Sequence, residues 1–142
     1  KVVADGSVRG DHVVEGGAIT LDEPASAVEA GLGYTQIVEP LPPSFESLGS
    51  GSGAKMRPVS ITFRLWETGA LRLDIGQGLR DISFKRMGRE VFDLPRVLYC
   101  GDKTIRSTGW RSSGFQPIWR IEQDIPLPFT LLSVSSVMSI NS

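Results

Sequence analysis

Residues 116–138 read QPIWRIEQDIPLPFTLLSVSSVM, and this stretch decides the fold class. In its first half Ile118 and Arg120 alternate with Trp119 and Ile121. In its second half Thr130, Leu132, Val134 and Met138 share one face of an extended chain, with Leu131, Ser133, Ser135 and Val137 on the other. A period of two marks half-buried strands, because successive side chains of an extended chain point to opposite faces. Pro126 and Pro128 lie between the runs. Proline lacks the backbone N–H and pushes the residue before it away from helical geometry, so no helix spans the gap. The stretch predicts strand, corner, strand.

Working outward, residues 55–66 repeat the pattern. Val59, Ile61, Phe63 and Leu65 make one apolar face, and Ser60, Thr62 and Arg64 the other. Leu71, Leu73 and Ile75 then alternate with Arg72 and Asp74, and Glu67-Thr68-Gly69 reads as the turn of a hairpin joining the two runs. Residues 97–100 and 103–106 predict another hairpin around Gly101-Asp102. Near the start, Val2, Val3 and Ala4 lead into Asp5-Gly6, a strong two-residue hairpin turn. Residues 12–14 lead through Glu15-Gly16-Gly17 into residues 18–21 in the same way. Residues 25–30 fit a helical turn or, over 28–30, a strand; residues 36–38 read as a short strand stopped by Pro42-Pro43. Residues 44–54 (SFESLGSGSGA) predict a flexible Gly/Ser loop, either an exposed loop tip or an engineered linker. One core is expected to unite Ile61, Phe63, Leu65, Trp119, Ile121, Leu132 and Val134.

The expected fold class is all-β, an antiparallel β-sandwich or partly open β-barrel of about eight to ten short strands with long irregular loops. At 142 residues, the chain 1–142 has the size of one β domain. It can bury roughly 68–70% of its unfolded surface, so it needs no metal or disulfide to fold. The 16 glycines and 9 prolines fall between the short runs, as turn punctuation does. A net charge of −1 gives no global attraction to nucleic acid or to acidic membranes. No apolar run approaches the ~20 residues of a spanning helix. Cys100 is the only cysteine, which excludes an intrachain disulfide. A start at Lys1, with neither methionine nor signal-peptide pattern, predicts a fragment of a longer chain.

Residues able to carry chemistry are few. His12 is the sole histidine, so no conventional His-based triad or zinc set forms without it; a surface or edge role is expected. Tyr34 reads as a half-buried strand tyrosine with its hydroxyl at a wet edge, and Cys100 as a small buried strand residue. The cationic cluster at 85–89 (KRMGR) is narrower than a nucleic-acid footprint and reads as a solvated loop. Gly53 is followed by Ala54-Lys55-Met56, which does not make a phosphate-binding loop. Glu122 and Asp124 share one face of an extended strand. Hydrolysis of a glycoside needs two carboxylates flanking a bond, usually from separate elements. The structural reading instead places Glu122 in solvent, with Gln123 or Asp124 bonding main chain at the corner. No catalytic, cofactor-binding or metal-ligating residue is predicted, and the chain is expected not to be an enzyme.

Segments in order carry a family resemblance. Gly31-Leu32-Gly33-Tyr34-Thr35 is similar to a G-L-P-Y-T block, with Gly33 at the proline position. The strand over 55–65 follows a Gly-rich loop, and Gly101-Asp102-Lys103 precedes Gly109-Trp110 as in a G-D-K…G-W spacing. Residues 121–132 (IEQDIPLPFTLL) resemble a Q-D-x-P-L-P-x-T-x-L signature, with Ile125 where a polar residue is common. Together they resemble the C-terminal region of the tail tubular, or nozzle, proteins of short-tailed bacteriophages; residues 71–95 lie outside the likeness. The resemblance implies a structural, virion-located module of a tail tube through which DNA is ejected, assembled in the host cytoplasm. Its implied partners are other copies of the parent chain in a ring, neighbouring tail proteins on the adaptor and portal side, and DNA passing without sequence contacts. A carbohydrate- or receptor-binding β-module of a tail is the alternative, and a hydrolase the third class. A row of exposed tryptophans would mark glycan binding; buried tryptophans with exposed strand edges would mark assembly.

Overall fold

Alternation produces the longest element among the described residues. In the computed structural model, which describes residues 1–42, 55–84, 97–106 and 117–141, Lys55–Thr68 forms the 14-residue strand β5. The strands before it are β1 (Val2–Ala4), β2 (Ser7–Gly10), β3 (Val28–Ala30) and β4 (Gln36–Val38). Those after it are β6 (Arg72–Asp74), β7 (Arg80–Asp81), β8 (Tyr99–Arg106), β9 (Arg120–Gln123) and β10 (Leu131–Asn141). Among the described residues all pairings are antiparallel, in three sheets ordered β2-β1-β3, β10-β5-β8 and β4-β9-β6-β7. Among the described residues there is no helix, and no strand pairing joins the sheets. The two larger sheets face each other as a sandwich. Ile61, Phe63 and Leu65 of β5 pack in one buried cluster with Leu71, Leu73, Ile118, Trp119 and Ile121. The Phe63 and Trp119 rings meet edge to face, centroids 5.5 Å apart at 82°. Burying each large apolar side chain of this layer contributes roughly 1.5–3 kcal/mol.

The strand–corner–strand reading of residues 116–138 holds, with β9 and β10 going to opposite sheets. The Asp5-Gly6 hairpin also holds: both residues have positive φ (48° and 72°), as a two-residue turn between right-twisted strands demands. Asp5 tolerates this because its carboxylate accepts the N–H groups of Ser26 and Ala27, tying the turn to the entry of β3. Residues 28–30 are strand, not helix.

Several expectations are corrected. β5 and β6 are not a hairpin. Thr68 completes β5 opposite Tyr99, the Gly69 N–H bonds the Pro128 carbonyl at 2.8 Å, and the chain crosses to the facing sheet. Leu71 and Leu73 thereby meet Phe63 across the core instead of lying beside it. The hairpin partner of β6 is β7, after the Gly76-Gln77-Gly78 turn. Residues 97–106 hold no hairpin either. Gly101 takes φ 139°, a conformation suited to glycine, and β8 runs through Gly101-Asp102 with Asp102 opposite Arg64. Residues 12–14 form no strand, and only a Glu15–Ala18 bridge stands where a hairpin with residues 18–21 was expected.

Leu132 does not join the core. The register between β10 and β5 shifts between Leu131 and Ser133, so Leu132 is an extra, bulged residue. Leu131 and Val134 pack on the core, and Leu132 is 58% exposed. A second shift, where Val137 and Met138 face Ser60 and Pro58, turns Val59 outward and Pro58 inward. The expected 44–54 loop lies outside the described residues, as do the 85–89 cluster and Trp110.

Candidate functional site

Polar residues converge where β9 leaves its sheet at Gln123. Gln123 is only 5% exposed; its Nε2 donates to the Ala70 carbonyl at 3.2 Å, fastening the β5–β6 crossover to the corner. Asp124 accepts from Arg72 Nη1 at 2.9 Å, and Arg72 also reaches Asp81 through Nε at 3.2 Å. Asp124, the main cause, raises the Arg72 guanidinium pKa above its ordinary value, with Asp81 and Glu122 adding to it. Past the corner, the Leu127 N–H bonds the Ile125 carbonyl at 2.8 Å. The fully buried Thr68 hydroxyl accepts the Thr130 N–H at 3.3 Å and has the carbonyls of Trp66 and Thr130 within reach to donate. Gly69 passes so close beneath Leu127 that a Cβ there would sit 3.1 Å from the Leu127 Cβ. With Pro126 and Pro128 contributing no N–H, these bonds close the corner against both sheets.

Beside this corner, the chain leading into β4 leaves a cleft of about 210 Å³. Gln36 stands directly opposite Gln123 in the β4–β9 pairing, and Tyr34 forms the outer lip. Tyr34 is 77% exposed and precedes the strand, so the half-buried strand position expected for it is corrected. The Gln123 Oε1 atom is buried and has no partner among the described residues.

The paired-carboxylate arrangement is taken apart by arginines. Glu122 is bound by Arg120 Nη2 at 3.1 Å instead of standing in solvent, and Asp124 by Arg72. Each carboxylate therefore has its own arginine partner, and the two are not held together as a pair. Gln123 is the residue that bonds main chain, as the structural reading held. His12 lies beside Arg9, Asp22 and Glu23 in a pocket of about 40 Å³, half-buried, its Nε2 unpartnered among the described residues. Cys100 is exposed, not buried: its neighbour Tyr99 takes the inward position, stacked on Phe84 at 4.8 Å. The Cys100 Sγ accepts the Glu67 N–H at 3.3 Å, where the β5 register shifts and Glu67 adopts φ 44°. Trp119 is buried and Trp66 exposed.

Sequence reasoning missed Thr68, hidden in an apparent turn, and the polar ladder on the outer face of β5. There Arg64 grips Asp102 with two bonds of 2.8 and 3.0 Å, and Thr62 meets Thr104 hydroxyl to hydroxyl at 2.8 Å. The alternating Thr62 and Arg64 were visible; their partners depended on reading β8 as continuous. Among the described residues no group of three or more His, Cys, Asp or Glu side chains is placed to hold a metal ion, and no helix is long and apolar enough to cross a membrane. Compared with known proteins, the chain matches no family model and no curated protein.

Proposed function

We propose that this chain is a structural module of a bacteriophage or prophage tail, part of the tube or nozzle through which DNA is ejected. The observation that carries this reading is the use made of the residues matching the Q-D-x-P-L-P-x-T signature. Gln123 bonds Ala70, Asp124 bonds Arg72, the Pro128 carbonyl receives Gly69, and Thr130 bonds Thr68. Those contacts hold the ends of two sheets together, as a load-carrying module requires. The edge strand β10 adds support: residues 131–141 (LLSVSSVMSIN) contain neither charge nor proline, the usual guards against strand-to-strand association.

In this reading the chain is located in the virion after assembly in the host cytoplasm. Its partners are copies of the parent chain in a ring and the tail proteins of the adaptor and portal side, with DNA passing non-specifically. It catalyses nothing and carries no cofactor. Ring contacts are heterologous, each copy presenting two different patches. The 142 residues alone hold part of each patch, below the ~1,000 Å² of a stable interface, and are monomeric or weakly associated in solution. A glycan platform built on a row of exposed tryptophans has less support, since of the described tryptophans Trp66 is exposed but Trp119 is buried against Phe63.

Electron microscopy of purified particles, with an antibody against this chain, tests the proposal. Label in a ring below the portal is expected. Its absence from particles, or its presence on the capsid shell, would overturn it.

A further inference from the structure

We propose that β10 is a self-recognition edge: two copies of this chain join through it, antiparallel about a two-fold axis, and merge their three-stranded sheets. Among the described residues β10 is an outer strand of its sheet, 11 residues long, with neither charge nor proline. The other edge strands carry the guards that β10 lacks. Arg9 lies in β2, Glu29 in β3, Arg80 and Asp81 in β7, and Asp102, Lys103 and Arg106 in β8. β4 is uncharged but only 3 residues long. A long unguarded edge presents a row of unpaired N–H and C=O groups to a matching strand. The match is a neutral strand of equal length, and among the described residues only β10 of a second copy supplies it.

The sequence of β10 fits itself in one register. Opposed residues of an antiparallel pair share a face, and a two-fold axis normal to the sheet sets one residue against its own copy. With Ser136 on that axis, Val134 stands opposite the partner's Met138. Both side chains pack on the core yet are only half-buried in the single chain, so the pairing continues the inner apolar layer across the axis. On the outer face Val137 meets the partner's Ser135. Placing Ser135 on the axis would set Val134 against a serine, and placing Val137 there would do the same to Met138. A two-fold contact closes on itself and does not propagate round a ring, so it stands independently of the tail reading and shares with it only the open edge. One strand pair falls short of the ~1,000 Å² of a stable interface. The dimer is therefore weak, with a Kd of about 0.1–1 mM, and at micromolar concentration the edge stays open.

The test is sedimentation equilibrium from about 10 μM to about 1 mM, with amide NMR over the same series. A monomer–dimer equilibrium is expected, with concentration-dependent shifts concentrated in β10. Ser136→Lys sets two ammonium groups face to face on the axis, and Ser136→Glu two carboxylates. Each variant alone should weaken dimerisation about fivefold, because like charges directly opposite repel. An equimolar mixture of the two should associate at least as tightly as the unaltered chain, each mixed dimer pairing Lys with Glu. Ser136 is exposed, so both variants should keep the melting curve. The proposal is overturned if the unaltered chain stays monomeric to about 1 mM, as when another segment covers β10. It is equally overturned if assemblies grow beyond dimers, if the shifts fall on β8, or if charge at position 136 changes nothing. A mixture as weak as its separate components would also overturn it.

Discussion

β9 and β10 come from one stretch of sequence with the same two-residue alternation, yet they end in opposite circumstances. Ile121 of β9 is completely buried, paired with Val38 on one side and Leu73 on the other. On β10, Leu132 and Val137 are 58% and 61% exposed. The difference lies in neighbours. β9 is interior to its sheet and faces the core through Ile121 and Gln123. Among the described residues β10 is an edge paired only with β5, and an edge accommodates bulges that an interior strand resists. Alternation identifies a strand; the partner strand decides which side of it is buried.

The largest effect should come from the side chain against which both strands rest. Phe63→Ala removes the ring packed on Trp119 and is expected to cost about 3–5 kcal/mol in a denaturant melt. An unchanged midpoint would mean that the sheets are not packed face to face. Next, a matched pair of truncations sharpens the contrast between the strands. Ile121→Ala should cost about 2–5 kcal/mol, whereas Leu132→Ala should stay within about 0.5 kcal/mol. Equal losses at the two positions would remove the distinction between an interior and an edge strand.

The smallest expected effect is electrostatic and lies on the outer face. Hydrogen bonding from Arg64 holds the Asp102 carboxyl below its usual range. A folded-state pKa below the unfolded one gives stability that is present above the unfolded value and lost as pH falls through the folded value. Asp102→Asn should therefore flatten the acid limb of the stability profile and leave its neutral-to-alkaline shape unchanged. The pair is exposed, so added salt should shrink the difference. A variant that alters only the alkaline limb would show that the assignment is wrong.

Much of the fold was legible because it depends on residues close in sequence. Ile61, Phe63 and Leu65 declare their face by spacing, and Asp5-Gly6 declares its turn by the conformations those residues tolerate. What escaped depends on distant partners. Gly101-Asp102 looks like a turn until Arg64 is known to lie opposite Asp102, and Thr68 looks like one until Thr130 is seen to bond it. Leu132 alternates correctly in sequence and is displaced by a register shift that only β5 reveals. At the candidate site, the proline corner marked Gln123 or Asp124 as bonding main chain; that it is Gln123, and that the acceptor is Ala70, depends on the distant β5–β6 crossover. The placement of Gln123 opposite Gln36 required the β4–β9 pairing.

Amide hydrogen exchange across residues 117–141 tests the contrast most directly, because it reads backbone pairing residue by residue. The Ile121 amide should exchange only through global unfolding. Along β10, protection should alternate, with amides facing β5 slow and those on the open edge near the rate of unstructured chain. Uniform protection along β10, matching that of Ile121, would contradict the account by showing that its outer edge is covered.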